Sequence, residues 1–251
     1  MPQQYVARFV ALESGVGKTR VAGEVVKELK TRGYRLGVIK HCSSGVSLEV
    51  KDTSKYIANG ADVVVATSPG LAVVYLPGFS ELLEAALSLV NAPIVIVEGY
   101  RGSSLGEAVL VARGEEDLRE LLKIVSNPVA AVTHTTVANP PENMVLFRVG
   151  EERELAKYLE DRALEFFHQQ TPRRDCGYCG YASCRELVLA YLKGYSNWCP
   201  VVSGVEVFVN GFSVPLNPFV KNIVKSTIDG MLRALKGVPR DYKKVTIQVS
   251  D

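Results

Sequence analysis

The stretch YVARFVALESGVGKT, Tyr5 to Thr19, is followed by the amphipathic segment RVAGEVVKELK, and this order predicts a strand, a loop and a helix. A glycine-containing loop in that setting binds polyphosphate through its backbone N–H groups and the positive end of the helix dipole. The lysine of such a loop reaches the β and γ phosphates, and the following threonine hydroxyl holds Mg²⁺. We therefore predict a nucleotide site formed by Ser14, Gly15, Val16, Gly17, Lys18 and Thr19.

One position departs from the phosphate-loop pattern G-x-x-x-x-G-K-[ST], because the chain has Leu12 where the pattern has glycine. The triplet GKT also occurs at ordinary solvated helix starts, so the prediction depends on the strand and the helix that flank it. A degenerate loop that binds no nucleotide is the alternative that Leu12 leaves open.

The length and composition of the chain limit what kind of protein it can be, and the chain is long enough to bury a core. Its 251 residues suit one large or two modest domains, and a net charge of +2 with 22% charged residues argues against a general nucleic-acid binder. No apolar run reaches the roughly 20 residues of a membrane span, and no N-terminal signal segment stands out. We expect a cytoplasmic protein, in which the five cysteines are reduced thiols or metal ligands rather than disulfides.

Residues 1–150 alternate short apolar runs with amphipathic segments, which predicts an α/β domain with a mainly parallel sheet and helices on both faces. Only Pro69-Gly70 separates the third and fourth runs, so we expect a local antiparallel pair there. The pattern does not predict the order of the strands. The predicted strands are Tyr5–Leu12, Arg35–His41, Asp62–Ser68, Leu71–Leu76, Pro93–Glu98, Ala108–Ala112, Val129–Thr133 and Met144–Val149, and the predicted helices are Arg20–Arg32, Thr53–Asn59, Ser80–Val90 and Glu115–Val125.

The character of the chain changes after residue 150. Residues 151–171 begin EERELAKYLEDRALEFFHQQ and predict a helical connector, and residues 172–251 predict a small α+β domain that contains four cysteines. An Asn-Gly pair between alternating apolar residues is a strong hairpin signal. The predicted elements are a helix over Ala182–Tyr195, a hairpin over Val205–Val214, a helix over Pro218–Leu235 and a strand over Lys244–Val249.

Polar residues at the carboxyl ends of the predicted strands are candidates for chemistry, because ligands of open parallel sheets bind there. Glu98 ends the run IVIVE and is a candidate Mg²⁺ ligand, although a carboxylate that caps a turn is the alternative. Asp52 is a candidate either to orient an attacking water or to complete the Mg²⁺ shell, and equally a candidate helix N-cap. Lys18 and Asp52 are thus the candidate catalytic residues. His41 and the run Thr133-His134-Thr135 also follow strands, and a lone strand-end histidine such as His41 is more often structural than a ligand.

Four blocks in succession carry a resemblance: ESGVGKT, RGYRLGVIKH, KDTSKYIANGADVVVATSPG and IVIVEGYR. In this order they resemble the blocks of the molybdopterin-guanine dinucleotide biosynthesis protein B family. The resemblance implies a GTP-binding P-loop protein that assists a guanylyltransferase in attaching GMP to molybdopterin. It also implies that Lys18 and Thr19 bind the triphosphate and Mg²⁺, and that Glu98 lies in the second nucleotide-binding block. The family usually has glycine and threonine where this chain has Leu12 and Arg20.

The implied partners are molybdopterin guanylyltransferase or other cofactor-maturation proteins, and a second copy of the chain is a further candidate. Neither nucleic acid nor a membrane is expected as a partner.

Cys176, Cys179, Cys184 and Cys199 follow the spacing C-x2-C-x4-C-x14-C. Four thiolates suit either a [4Fe–4S] cluster or a structural Zn²⁺, and zinc sites more often consist of two paired C-x2-C knuckles. The stretch resembles the short iron–sulfur domain of electron-transfer complex B subunits and of corrinoid iron–sulfur proteins, which implies a [4Fe–4S] cluster. Zn²⁺ bound by the same four thiolates remains the alternative.

These observations predict a GTP-binding protein of molybdenum or tungsten pterin cofactor maturation, with at most slow Mg²⁺-dependent GTP hydrolysis and an iron–sulfur domain. An iron–sulfur electron carrier or redox sensor with a degenerate P-loop domain is the alternative from another class. A small-molecule kinase or ligase with a P-loop is the third.

Overall fold

The computed structural model describes residues 3–42, 45, 51–202, 204–214, 216–238 and 245–249, without the side chains of residues 51–53 and 213. The chain divides into two compact units. The first contains Gln3–Phe167 and Leu192–Gly194, and the second contains His168–Tyr191 and the residues from Tyr195 onward. The finer division at residues 150 and 171 stays a prediction.

The first unit contains the eight strands that the apolar runs predict. Six of them form one parallel sheet in the order β2-β5-β1-β6-β7-β8, and β3 and β4 form a separate antiparallel pair. The parallel sheet and the antiparallel excursion are both confirmed. The strands are β1 (Tyr5–Val10), β2 (Leu36–Lys40), β3 (Val64–Ser68), β4 (Leu71–Tyr75), β5 (Ile94–Glu98), β6 (Glu107–Ala112), β7 (Pro128–Thr133) and β8 (Val145–Arg148).

Five helices connect or follow these strands: α1 (Lys18–Thr31), α2 (Lys51–Ala58), α3 (Leu83–Ser88), α4 (Glu115–Ile124) and α5 (Glu152–Gln169). The helix predicted over Ser80–Val90 is shorter than expected, because the Ser80 hydroxyl accepts a hydrogen bond from the Leu82 N–H (3.3 Å) in a turn that precedes it.

Helices cover both faces of the sheet, as predicted. On one face Val6 of β1 packs in a cluster with Leu83 of α3, and Val10 packs in a cluster with Leu118 of α4. On the other face α1 contacts β1 and β5, and the ring of Tyr5 lies 5.7 Å from that of Phe166 in α5. Every residue of β1 is buried for this reason.

Arg8 carries a charge into the middle of this sheet. Its side chain is fully buried in the central strand, and it donates to the carbonyls of Leu105 (2.6 Å), Ser126 (2.8 Å) and Tyr100 (3.2 Å). Burial lowers the pKa of the guanidinium. The three carbonyl acceptors replace water, and they tie the loop after β5 and the turn before β7 to the strand beneath them.

A second polar cluster attaches α5 to the sheet. Glu107 of β6 accepts from the Tyr5 hydroxyl (2.6 Å), and Arg162 of α5 holds the same carboxylate through two nitrogens. Burial, and then the Glu107 carboxylate, raise the pKa of Tyr5 well above its ordinary value. The bidentate geometry fixes the position of α5 as well as contributing energy.

The second unit contains most of α6 (Cys184–Lys193), the hairpin β9 (Val207–Val209) and β10 (Phe212–Val214), and α7 (Pro218–Ala234), so these predicted elements are confirmed. The strand predicted over Lys244–Val249 is wrong for residues 245–249, which have no strand partner in the described chain, and Lys244 lies outside the described residues. Alternating apolar residues form a strand only where a neighbouring strand takes their backbone hydrogen bonds. Across the described residues, no helix is both long and apolar enough to cross a bilayer.

Candidate functional site

The loop between β1 and α1 has the backbone geometry that its glycines permit. Gly15 has φ 80° and Gly17 has φ 101°, and both values lie in the left-handed region that side chains disfavour. Gly17 directly precedes α1, and within the described chain no side chain caps this helix start. The first N–H groups of α1 therefore remain available to an anion at the positive end of the helix dipole.

Leu12 is accommodated without strain where the sequence pattern has glycine. It is absent from the described residues that have positive φ, so its backbone does not require glycine. Its half-buried side chain packs against the apolar cluster beneath α4. The departure therefore does not disrupt the loop.

The strand order brings three strand ends together at this loop. Because β5 lies between β1 and β2, Glu98 and Lys40, the last residues of β5 and β2, reach the start of α1. The Thr19 hydroxyl donates to Glu98 Oε1 (2.7 Å), and Lys40 Nζ lies 3.5 Å from both Glu98 Oε2 and Thr19 Oγ1. A hydroxyl and a carboxylate side by side are hard oxygen ligands of the kind that Mg²⁺ takes, so these residues fit that ion.

Cationic and imidazole side chains hold the carbonyls of the loop. Lys18 Nζ donates to the Glu13 carbonyl (2.7 Å), and Arg101 donates to the Leu12 carbonyl (3.0 Å). His134 Nε2, at the end of β7, lies 2.9 Å from the Val16 carbonyl. These contacts occupy three carbonyls of the loop and leave the backbone N–H groups of the loop for an anion.

A cavity of about 910 Å³ opens over the loop. Four cationic side chains and two carboxylates line it, namely Lys18, Arg20, Lys40 and Arg101 together with Glu13 and Glu98. The excess of positive charge at a helix N-terminus, with two oxygen ligands for a cation, suits a polyphosphate that carries a divalent metal.

The structure places most of the predicted nucleotide residues at this cavity, namely Ser14, Gly15, Gly17, Lys18 and Thr19. Val16 is not among the residues that line the cavity, because its side chain is buried at 6% exposure and its carbonyl faces His134 Nε2. Asp52 lies on α2, and its side chain falls outside the described part of the chain. His41 also lines this cavity, and its ring lies 4.9 Å from that of Tyr100.

Sequence reasoning missed two residues of the site. Lys40 directly precedes His41 at the end of an apolar run, and Arg101 follows Glu98 by three residues in EGYR, so each lay near a residue already singled out. A cation in such a place is ordinarily a solvated surface group, and only the pairing of β2, β5 and β1 brings these two to the loop.

The four cysteines of the second unit lie in different surroundings. Cys176 is exposed, Cys179 is half-buried, and Cys184 and Cys199 are buried; none of them forms a disulfide. The loop between them is held by a hydrogen bond from the Cys184 N–H to the Asp175 carboxylate (2.6 Å). No group of three or more His, Cys, Asp or Glu side chains in the described chain is arranged to hold a metal ion. Four thiols suit an iron–sulfur cluster chemically, but they do not converge on one centre.

Comparisons with known proteins agree with this fold. A family model for molybdopterin guanine dinucleotide synthesis protein B, MobB, matches residues 6–134. The "Putative molybdopterin-guanine dinucleotide biosynthesis adapter protein" of Methanocaldococcus jannaschii is 30% identical over 242 residues, which cover 93% of this chain and 94% of that protein. A match this long includes most of the four-cysteine region.

Two solved structures share the fold. A MobB protein homolog from Bacillus stearothermophilus has a TM-score of 0.50 at 22% identity, and 63% of this chain covers 97% of it. MobB of Bacillus subtilis has a TM-score of 0.53 at 18% identity, and 64% of this chain covers 98% of it. About a third of this chain therefore has no counterpart in these two structures. Taken together, the family model and the relative that matches almost the whole length show that the chain belongs to the MobB family.

Proposed function

We propose that the protein binds GTP with Mg²⁺ at the loop before α1 and acts as an adapter in the biosynthesis of the molybdopterin guanine dinucleotide cofactor, in its molybdenum or tungsten form. The observation that carries the nucleotide proposal is the Thr19 hydroxyl 2.7 Å from Glu98, beside Lys18 at an uncapped helix start. The adapter role is supported by the name of the relative that matches 93% of the chain. The alternative of a degenerate loop is not favoured, because Leu12 fits without strain.

Each residue of the site has a proposed part in binding. Lys18 exchanges its bond to the Glu13 carbonyl for the β and γ phosphates, and the uncapped N–H groups of α1 bind the same anion. Thr19 and Glu98 hold Mg²⁺, which neutralises phosphate charge when bound. Asp52 is proposed to orient water in a slow hydrolysis. None of these parts requires fast turnover, which suits an adapter.

The proposed partners are a molybdopterin guanylyltransferase or other cofactor-maturation proteins of the cytoplasm. In this proposal the GTP-binding adapter assists the guanylyltransferase in attaching GMP to molybdopterin.

Calorimetry with GTP and with ATP in the presence of Mg²⁺ tests the nucleotide proposal. We expect GTP to bind more tightly, and Lys18→Ala to weaken its binding by about 1.5–3 kcal/mol, the scale of hydrogen bonds to charged groups. Lys123→Ala is the matched control, because Lys123 pairs with Glu120 (2.6 Å) on exposed helix surface of the same unit. No GTP binding by the wild type, or equal binding by both variants, would reject the proposal.

We further propose that Cys176, Cys179, Cys184 and Cys199 take up one [4Fe–4S] cluster, with Zn²⁺ as the alternative. The support is their spacing and the four-thiol donor set. Since the thiols are not gathered around one centre, ligand binding would have to draw the loop closed, which couples metal uptake to folding of the second unit.

Metal analysis after anaerobic preparation tests the cluster. Serine at any one of the four positions should deplete iron and make the chain after Pro172 more sensitive to proteolysis, with GTP binding retained. Cys42→Ser is the control, since Cys42 lies in the first unit and should leave the metal in place. A brown colour that survives the four substitutions would contradict the proposal, and zinc without iron would replace the cluster by a structural zinc site.

A further inference from the structure

Lys40 occupies an unusual position in the candidate site. Its ammonium lies 3.5 Å from Glu98 Oε2 and 3.5 Å from Thr19 Oγ1, the two side chains that suit Mg²⁺. Glu98 is 14% exposed at its side chain and Lys40 is 51% exposed, so the ammonium approaches the carboxylate from the solvent side of the cavity. The three groups form a closed triangle whose third side is the 2.7 Å hydrogen bond from Thr19 to Glu98.

The Lys40 ammonium neutralises the negative charge of the Glu98 carboxylate, which a bound metal would otherwise neutralise. Unit charges about 4 Å apart interact strongly where solvent is partly excluded, and a second cation placed among the same ligands is repelled by a similar energy. The ammonium is also attached to the end of β2, so its concentration near Glu98 does not fall when the solution is diluted. An incoming divalent ion must therefore displace a charge that the protein itself supplies.

We propose that Lys40 is a positioning residue that holds Thr19 and Glu98 in the empty site and keeps a divalent metal out until nucleotide arrives with it. This inference rests on the proposed function, since it concerns the same site. Bound triphosphate would supply the negative charge that draws Lys40 away from Glu98, which would leave Thr19 and Glu98 to hold the metal. Metal and nucleotide consequently enter together rather than metal first.

The test measures how tightly the whole 251-residue chain binds Mn²⁺, a spectroscopic substitute for Mg²⁺, in the absence of nucleotide. The free Mn²⁺ signal in electron paramagnetic resonance gives the affinity directly. We expect Lys40→Met to bind Mn²⁺ at least about tenfold more tightly than the wild type, because it removes a positive charge a few ångströms from the ion. Lys40→Arg, which keeps the charge, should behave like the wild type, and Lys123→Met controls for the loss of any exposed lysine.

A second variant identifies the site of the gained metal. Adding Glu98→Gln to Lys40→Met should abolish the extra Mn²⁺ binding, since it removes the carboxylate that the ammonium had neutralised. Equal Mn²⁺ affinity in wild type, Lys40→Met and Lys40→Arg would overturn the proposal, and so would extra binding that survives Glu98→Gln. Circular dichroism melting curves check that the variants are folded, which the exposure of Lys40 favours.

The experiment is separate from the test of GTP binding, because it contains no nucleotide. Tighter Mn²⁺ binding by Lys40→Met in a protein that binds no GTP would support the role of Lys40 and reject the proposed function. The reverse result would reject the role of Lys40 alone.

Discussion

Helices α5 and α7 are of nearly equal length, 18 and 17 residues, and α7 is the more apolar of the two, yet their surroundings are opposite. Seven residues of α5 are buried, whereas α7 has no buried residue in the structure as described. Phe219, Ile223 and Met231 of α7 are each about half exposed or more. An apolar stripe makes a helix amphipathic, but only a surface that covers the stripe buries it. For α5 that surface is the six-stranded sheet.

Truncation of one side chain in each helix tests this comparison most strongly. Leu155 of α5 is fully buried, so Leu155→Ala should lower the free energy of unfolding by about 2–5 kcal/mol through lost burial and the cavity left behind. Ile223→Ala in α7 should change it by only about 0.5 kcal/mol, because Ile223 is 49% exposed. Urea unfolding followed by circular dichroism measures both. Equal losses would show that α7 is covered in solution and would break the comparison.

Arg8, the buried charge of the first unit, extends the comparison of buried and exposed side chains to a polar residue. Arg8→Met removes the guanidinium that donates to the carbonyls of Leu105 and Ser126, whereas the Tyr100 carbonyl keeps the Ser103 N–H (3.0 Å), so stability should fall by about 3 kcal/mol. Arg119→Met is the matched control, because Arg119 is exposed and pairs with Glu115 one helical turn away, a contact worth about 0.5 kcal/mol. The same urea titration decides. A loss as small as the control would mean that water replaces the guanidinium.

The hydroxyl that attaches β1 to Glu107 gives a smaller effect that depends on pH. The folded pKa of Tyr5 is raised by burial and by Glu107, so its contribution to stability is complete below the unfolded pKa of about 10 and is lost as pH rises above it. Between pH 10 and the folded pKa, wild-type stability should fall about 1.4 kcal/mol per pH unit more steeply than that of Tyr5→Phe. Unfolding titrations at several pH values above 10 measure the slopes. Parallel slopes for the wild type and Tyr5→Phe would contradict the assignment.

The sequence predicted the elements of the first unit well and their arrangement poorly. Apolar runs predicted all eight strands, because strands buried on both faces must be apolar throughout. The order β2-β5-β1 was not predictable, since pairing between strands far apart in sequence depends on how the helices cover both faces. Without that order, Thr19 and Glu98 were two separate candidates and Lys40 was an unremarked surface residue.

Leu12 shows a second limit of reading structure from a sequence pattern. Its sequence position suggested a degenerate loop, because the pattern has glycine there. The backbone at Leu12 does not take positive φ, and the apolar cluster beneath α4 accepts its side chain. A sequence pattern records the residue type and not the dihedral angle, so it cannot distinguish a glycine that the backbone requires from one that it does not.

The sequence by itself determined the strand–loop–helix start of the first unit, the residues of the phosphate loop, the α/β class and the resemblance to the MobB family, because these depend on local periodicity and on short-range turn chemistry. Only the tertiary structure decided which strand ends meet, that Lys40 and Arg101 belong to the site, that Arg8 is buried among carbonyls, and that α5 is covered while α7 is exposed. These properties arise from contacts between residues far apart in the chain. No local pattern encodes which surface a given side chain will meet, so they follow from packing alone.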